Sequence, residues 1–198
     1  MTAERASPER DDDRPTWDDE YVERVAGRLS HHYDLERGYR LEGEQFTMYG
    51  QLRVTYERHA IHPSVTFGHH EAREHLFVTE CERPTVATLE GLEALGERLA
   101  EEWVEADEDH YSTDFTFAVI AAELPEDARE YVSGYRNRTL LTYGYNGHYE
   151  INLLVVVPAR EVCVSSANAD VAQAFAVWEP IVAETPGRLD RLLGWLSR

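Results

Sequence analysis

The chain of 198 residues is long enough for one sizeable domain or two small ones, each with a hydrophobic core. Its 42% hydrophobic content excludes wholesale disorder, and 38 acidic against 19 basic residues give a formal net charge of -19. We find no basic patch to meet phosphates, so direct nucleic-acid binding is not expected. The charged N-terminus lacks the apolar segment of a secretion signal, and no run reaches the roughly 20 apolar residues of a membrane span. We therefore expect a cytoplasmic protein without membrane partners.

The basic residues are all arginine, and the chain contains no lysine. This acid-rich, lysine-free composition resembles that of uncharacterised cytoplasmic proteins of salt-in haloarchaea; the resemblance is spread over the whole chain and points to no functional family. At molar salt the Debye length falls to about 3 Å, which screens the repulsion between surface carboxylates. We interpret the acidity as a halophilic, hydrated coat that keeps the protein soluble, rather than as a surface for a basic partner or for cations.

Cys81 and Cys163 are the only cysteines. Both lie in or beside predicted strands, and we expect reduced, buried thiols rather than a disulfide. Neither belongs to a Cys-x-x-Cys motif or has an adjacent histidine, so the sequence offers no activated thiol nucleophile. The chain also lacks the G-x-S-x-G, Walker A, G-x-G-x-x-G and H-E-x-x-H motifs.

The predicted elements begin after an N-terminal tail. Residues 1–15 have little apolar content and are predicted to form a disordered acidic tail, followed by a single domain over 16–198. An apolar stripe at four-residue spacing predicts a helix over about 16–33: Trp17, Tyr21, Val25 and Leu29. Alternating apolar positions then predict a strand over 45–58, in which Gly50 marks a bulge or a close contact.

Leu76 to Cys81 predicts a second strand that pairs with the 45–58 strand. One apolar stripe predicts the clearest helix, over about 88–106: Leu89, Leu92, Leu95, Leu99 and Trp103. The remaining predicted elements outside the central hairpin are, in chain order, a strand over 115–122, a helix from Pro125 to Gly134, a helix from Asn168 to about Val177, and a last helix that opens at Thr185.

The strongest turn signal is Asn146-Gly147 between two alternating apolar runs. It predicts a two-residue type I′ turn, because Asn tolerates and Gly prefers the positive φ that this turn requires. The two strands then cover 138–145 and 148–157, with Tyr145 opposite His148. This hairpin is the predicted centre of the fold.

The second strand of this hairpin ends in Leu153 to Val157, which is apolar on both faces, so we expect it to be central in its sheet and covered above and below. A tight turn at Pro158 leads into a third strand over 161–165 and completes a meander. Together with the helices, this predicts an α+β fold, an antiparallel, meander-rich sheet with helices packed on one face.

One face of the predicted hairpin gathers polar and aromatic side chains. Five residues share it: Tyr143, Tyr145, His148, Glu150 and Asn152. A histidine beside a glutamate can act as a general acid and base, and the neighbouring groups can orient a substrate. Such a face is also ordinary sheet surface, since cross-strand pairs of this kind stabilise sheets without doing chemistry. Ordinary sheet surface, or a face covered by a helix, is the default interpretation; if the face has a role, we favour binding over catalysis.

A second candidate site is a histidine-rich stretch that holds five of the nine histidines: His59, His62, His69, His70 and His75. Imidazoles bind divalent zinc, copper, nickel or iron, and a carboxylate such as Glu74 can complete a site. The spacing matches no named metal motif, however, and Pro63 argues against a helix that would align the first two histidines. The alternative is a set of loop and surface histidines.

These observations predict a salt-adapted, intracellular binding or protein-interaction domain without catalytic activity. We expect a protein partner or self-association into a small homo-oligomer, and no cofactor. The alternative is a metal-dependent enzyme of unknown substrate that holds a divalent metal in the segment from His59 to His75. No motif in the sequence specifies a reaction.

Overall fold

The computed structural model describes residues 14–59 and 66–180, with side chains described for 14–55 and 71–180. The helices are α1 (Glu20–Leu29), α2 (Val86–Trp103), α3 (Glu126–Gly134) and α4 (Ala172–Phe175). The strands are β1 (Asp34–Arg37), β2 (Arg40–Leu41), β3 (Glu44–Gln45), β4 (Met48–His59), β5 (Thr66–Cys81), β6 (His110–Ala121), β7 (Asn137–Leu140), β8 (His148–Val157) and β9 (Val162–Ser165). Most of the predicted tail and the predicted helix from Thr185 lie outside the described residues.

Seven of these strands form one mixed sheet in the order β1-β4-β5-β6-β8-β7, with β9 also paired to β8. The α+β prediction is confirmed, but the prediction of an antiparallel sheet is wrong at its centre. There β5, β6 and β8 run parallel. The reason is that α2 and α3 connect these strands, and a helical crossover returns the chain to the end of the sheet where it started. The strands β2 and β3 form a separate small ribbon.

Helices cover both faces of the sheet, and the prediction that they pack on one face is wrong. We call the side covered by α2 and α3 the α2 face, and the side covered by α1 and α4 the α1 face. Along β8, Leu153 and Val155 belong to the core of the α2 face, whereas Leu154 and Val156 belong to the core of the α1 face. The prediction that this strand is central and covered on both sides is confirmed.

The pairing of β7 with β8 is antiparallel, as predicted, but its register and its turn differ. Leu140, rather than Tyr145, lies opposite His148, so the connection spans seven residues instead of two. Gly147 has a φ of 75°, and a Cβ there would come within 2.0 Å of the Tyr111 carbonyl oxygen. The asparagine-glycine pair therefore packs against β6, and its glycine serves a close tertiary contact instead of reversing the chain.

The predicted turn after β8 is confirmed as a short 3-10 segment, Pro158–Arg160, that leads into β9. However, β9 does not extend the sheet by a further strand. It pairs with the C-terminal half of β8, whereas β7 pairs with the N-terminal half. Because β6 occupies the other edge of β8, β7 and β9 follow one another along the same edge.

Two helix starts and two strand starts differ from the predicted ones. The Asp19 side chain accepts a hydrogen bond from the Val22 amide, so α1 begins at Glu20 rather than near Thr16. Thr85 and Thr88 form a capping box at the start of α2. Both β5 and β6 begin several residues earlier than predicted, and the predicted β4–β5 pair is confirmed. Among the described helices, none has the length and apolar character needed to cross a membrane.

Candidate functional site

Three of the five predicted binding residues share the α1 face of β8, and all three are buried: His148, Glu150 and Asn152. The Glu150 carboxylate is fully buried, and its Oε1 lies 3.4 Å from Nη1 of Arg138 and 3.4 Å from Nε2 of His148. Arg138 is brought there by β7, where it is the direct partner of Glu150. The negative charge of Glu150 is therefore balanced by an arginine on the neighbouring strand.

Asn152 belongs to a different contact. Its Oδ1 accepts a hydrogen bond of 3.1 Å from the Ser166 hydroxyl, whose oxygen accepts one of 3.2 Å from the Leu153 amide. The Ser166 amide in turn donates to the Leu153 carbonyl. Asn152 thus fixes the chain that leaves β9, which is a structural role.

The other two predicted residues lie apart from these three. Tyr143 and Tyr145 are 96% and 88% exposed, and Leu140, just before them, is 58% exposed. Among the described residues, these three are the large hydrophobic side chains that are exposed to solvent. We call the connection 141–147, together with Leu140, the tyrosine loop. The seven-residue connection separates its rings from the face of β8.

The backbone of the tyrosine loop is fixed by its own hydrogen bonds. The Leu141 amide donates to the Gly147 carbonyl at 3.0 Å, and the Tyr145 amide donates to the Thr142 carbonyl at 3.1 Å. Thr142 and Tyr143 have φ values of 46° and 57°, in the left-handed region that non-glycine residues seldom adopt. Such strained residues recur at ligand clamps and other functional sites. The loop therefore holds two exposed aromatic rings on a defined backbone.

His75 is the member of the histidine-rich stretch whose side chain is described, and it lies in the core of the α2 face. Its Nδ1 is hydrogen-bonded to the Tyr49 hydroxyl at 2.8 Å. Its ring stacks on Phe115 with centroids 5.3 Å apart and meets Trp103 edge-on at 5.0 Å. Burial lowers the pKa of His75 to about 4, with smaller contributions from the charges of two arginines. This histidine is a neutral core residue.

The structure gives no side-chain positions for the other four histidines of that stretch. His59 ends β4, and His69 and His70 lie in β5, whereas His62 lies outside the described residues. Within the part of the chain that the structure describes, no group of three or more His, Cys, Asp or Glu side chains is arranged to hold a metal ion. The metal site stays a prediction, and its fifth proposed ligand, His75, is committed to Tyr49.

The two cysteines are free thiols, as predicted, but both are half-buried rather than buried. Burial raises the pKa of Cys163 to about 11, and its Sγ lies 3.8 Å from the Ala172 carbonyl oxygen. Because the thiolate is the nucleophile, this cysteine is not activated at neutral pH.

The sequence did not predict a row of three carboxylates on the α1 face. Glu74, Asp114 and Glu150 are register partners on the adjacent parallel strands β5, β6 and β8. Neighbouring strands lie about 4.8 Å apart, so the row places three acids side by side. Recognising it requires the register of three strands that are distant in sequence, and no local pattern supplies that register.

Glu74 lies at the floor of an open cleft of about 450 Å³ on the α1 face. The cleft is lined by Arg28, Leu29, His31, His32, Tyr33, Leu52, Glu74, Asp170, Val171, Gln173 and Ala174. The Tyr33 hydroxyl donates a hydrogen bond to Glu74 Oε2. Burial raises the pKa of Glu74, and the nearby Asp170 carboxylate raises it further, whereas Tyr33 and His32 act in the opposite direction.

The chain matches a family model over residues 18–177, which spans every helix and strand of the described residues. That model is the domain of unknown function DUF8052. No curated protein and no solved structure matches the chain. Because the match covers most of the 198 residues, the chain belongs to the DUF8052 family.

Proposed function

We propose that this protein is a non-catalytic binding domain that recognises another protein through the tyrosine loop. The observation that carries the proposal is the clustering of Leu140, Tyr143 and Tyr145, the exposed large hydrophobic side chains of the described residues, within six positions. Tyrosine is enriched at protein interfaces because its ring offers a large contact area at low conformational cost and its hydroxyl can hydrogen-bond.

The backbone of the tyrosine loop is also preorganised for binding. Its hydrogen bonds and the packing of Gly147 against Tyr111 hold the backbone in place before a partner arrives. A preorganised contact surface loses less conformational entropy on association than a mobile one. The neighbouring strand β7 is an edge strand, so a partner can extend its contact along the sheet beside the loop.

The acidic, lysine-free composition supports a setting of high salt, where long-range charge attraction is screened. Under those conditions apolar burial is the more dependable source of affinity, because excluded salts strengthen it. We therefore include salt adaptation and an intracellular location in the proposal, together with a protein partner or a second copy of the chain.

Co-purification at molar KCl from the source organism tests this function, with sedimentation analysis of the purified protein to detect self-association. The double variant Tyr143→Ser/Tyr145→Ser should lose the partner, or the self-association, while its unfolding midpoint stays unchanged, because both rings are exposed. The matched control Tyr143→Phe/Tyr145→Phe keeps the rings and should retain most of the binding. Equal binding by the wild type and the serine variant would refute the proposal.

A further inference from the structure

The two ends of the carboxylate row on the α1 face have different surroundings. At one end, Glu150 is accompanied by Arg138 and His148. At the other end, Glu74 receives its hydrogen bond from the neutral Tyr33 hydroxyl. The charged groups that act on Glu74 are Asp170, which opposes its ionisation, and His32, which favours it; no arginine of the described residues is among them. The end of the row with the least positive charge is the end that opens into the cleft.

Tyr33 is held over Glu74 by the shape of β4. Gly50 lies in the middle of this strand, and a Cβ there would be 3.2 Å from Cδ1 of Tyr33 and 3.2 Å from Cδ2 of Leu35. The absence of a side chain at Gly50 lets the Tyr33 ring lie against the sheet and direct its hydroxyl to the glutamate. The close contact predicted at this glycine thus positions a polar pair at the cleft floor.

The walls of the cleft are largely apolar. Leu29 comes from α1, Leu52 from β4, and Val171 and Ala174 from the segment at α4. A second carboxylate, Asp170, stands exposed at the rim together with His31 and His32. A ligand that fits these surroundings has an apolar body and a cationic head.

Arg28, the arginine among the described residues of the cleft, is already engaged. The Arg28 guanidinium donates to four main-chain carbonyls of the C-terminal segment, those of Gln173, Ala176, Val177 and Glu179. It therefore fastens that segment to α1 and is not directed at Glu74. Because these hydrogen bonds occupy the Arg28 guanidinium in the wall of the cleft, the Glu74 carboxylate stays accessible to a ligand.

We propose that this cleft binds a small organic amine, with Glu74 as the counter-ion of the ammonium head and the apolar walls in contact with the hydrocarbon body. Tyr33 orients the Glu74 carboxylate, and Asp170 adds negative charge at the entrance. A partly buried carboxylate with no arginine of the described residues beside it lowers stability, and groups of this kind in a cleft occur where a ligand supplies the positive charge. The site lies on the α1 face and is separate from the tyrosine loop.

Calorimetric titration at molar KCl and neutral pH tests the proposal with three probes of equal chain length: hexylammonium, 1-hexanol and hexanoate. Hexylammonium should bind roughly ten- to a hundredfold more tightly than 1-hexanol, the range expected for a hydrogen bond to a charged group. Hexanoate should bind least. The high salt suppresses non-specific attraction of the amine to the acidic surface.

Two variants with the same change of charge locate the binding. Glu74→Gln should reduce hexylammonium affinity to the level of 1-hexanol, whereas Glu108→Gln, on an exposed residue outside the cleft, should leave it unchanged. The proposal is overturned if no probe binds, if hexylammonium binds no better than 1-hexanol, or if Glu74→Gln retains the preference. The Tyr143→Ser/Tyr145→Ser variant should bind hexylammonium normally, so the cleft and the tyrosine loop are tested independently.

Discussion

Glu74 and His75 are neighbours in β5, yet they face opposite sides of the sheet and have different surroundings. On the α2 face, His75 is hydrogen-bonded to Tyr49 and packed between Phe115 and Trp103. On the α1 face, Glu74 lies beside a second carboxylate, Asp114, in the same register row and opens into a cleft. One face places its polar group in a closed aromatic core, and the other leaves a carboxylate at an open surface.

The different surroundings of His75 and Glu74 imply different effects on folding stability and on ligand binding. A buried polar group with a neutral partner costs little and can specify the packing around it. A partly buried carboxylate whose pKa is raised costs free energy at neutral pH. We therefore expect the closed core of the α2 face to contribute strongly to the free energy of unfolding and the cleft of the α1 face to carry ligand affinity.

The largest effect should come from truncation in the α2 face. Phe117 is fully buried and stacks on Phe77 with centroids 5.1 Å apart. Phe117→Ala should lower the free energy of unfolding by about 3–5 kcal/mol, because it removes buried area and leaves a cavity. Leu52→Ala, in the half-buried wall of the cleft, should cost only about 1 kcal/mol. Denaturant unfolding at fixed salt measures both; similar losses would break the contrast between the faces.

The second-largest effect should be the contribution of His75 to the pH dependence of the free energy of unfolding. Its pKa falls from an ordinary 6.5 to about 4 in the folded state, so the unfolded chain takes up the proton first on acidification. This histidine therefore lowers the free energy of unfolding by about 3 kcal/mol as the pH falls from its ordinary pKa to its folded-state pKa. His75→Gln cannot titrate and should show a correspondingly smaller loss between the same two pH values. Parallel curves for the two proteins would show that His75 does not remain neutral.

A smaller effect is expected at the glycine beneath Tyr33. Gly50→Ala should destabilise the fold by about 1–2 kcal/mol, because the added methyl group meets Tyr33 and Leu35. Displacement of Tyr33 should also weaken hexylammonium binding. The matched control Gly91→Ala has open space on the exposed side of α2 and should stabilise by about 0.5–1 kcal/mol. Thermal unfolding and calorimetric titration measure the stability and the hexylammonium affinity of both variants. Equal changes in the two variants would show that Gly50 does not position Tyr33.

The smallest effect has the opposite sign. Because the folded state raises the pKa of Glu74, its contribution to stability is present at acid pH and is lost as the pH rises. Glu74→Gln should therefore slightly stabilise the protein at neutral pH, and the gain should vanish on acidification. Glu108→Gln controls for the loss of one surface charge. Denaturant midpoints of the wild type and both variants at neutral and at acid pH show whether the change in stability has the expected sign.

The sequence predicted the elements with strong local patterns. The leucine stripe of α2, the alternation along β8 and the β4–β5 pair depend on neighbouring residues, and the structure confirms them. The close contact expected at Gly50 is present as well. In each case the periodicity of apolar residues, or a residue without a side chain, is sufficient to identify the feature.

The features that were missed depend on distant contacts. Apolar runs read the same in either direction, so the sequence could not distinguish parallel from antiparallel neighbours for β6 and β8. The turn at Asn146-Gly147 failed because Gly147 is required against Tyr111, a contact across the sheet. The shift of register moved Tyr143 and Tyr145 off the face that holds the rest of the predicted site.

The most direct test of the central claim is the unfolding free energy of the wild type and Glu74→Gln at neutral pH and molar KCl, each with and without saturating hexylammonium. We predict that Glu74→Gln is the more stable protein without the amine and gains little from it, whereas the wild type gains stability in proportion to its occupancy. A lower stability of Glu74→Gln without the amine, or an equal gain in both proteins, would contradict the assignment of Glu74 to ligand binding.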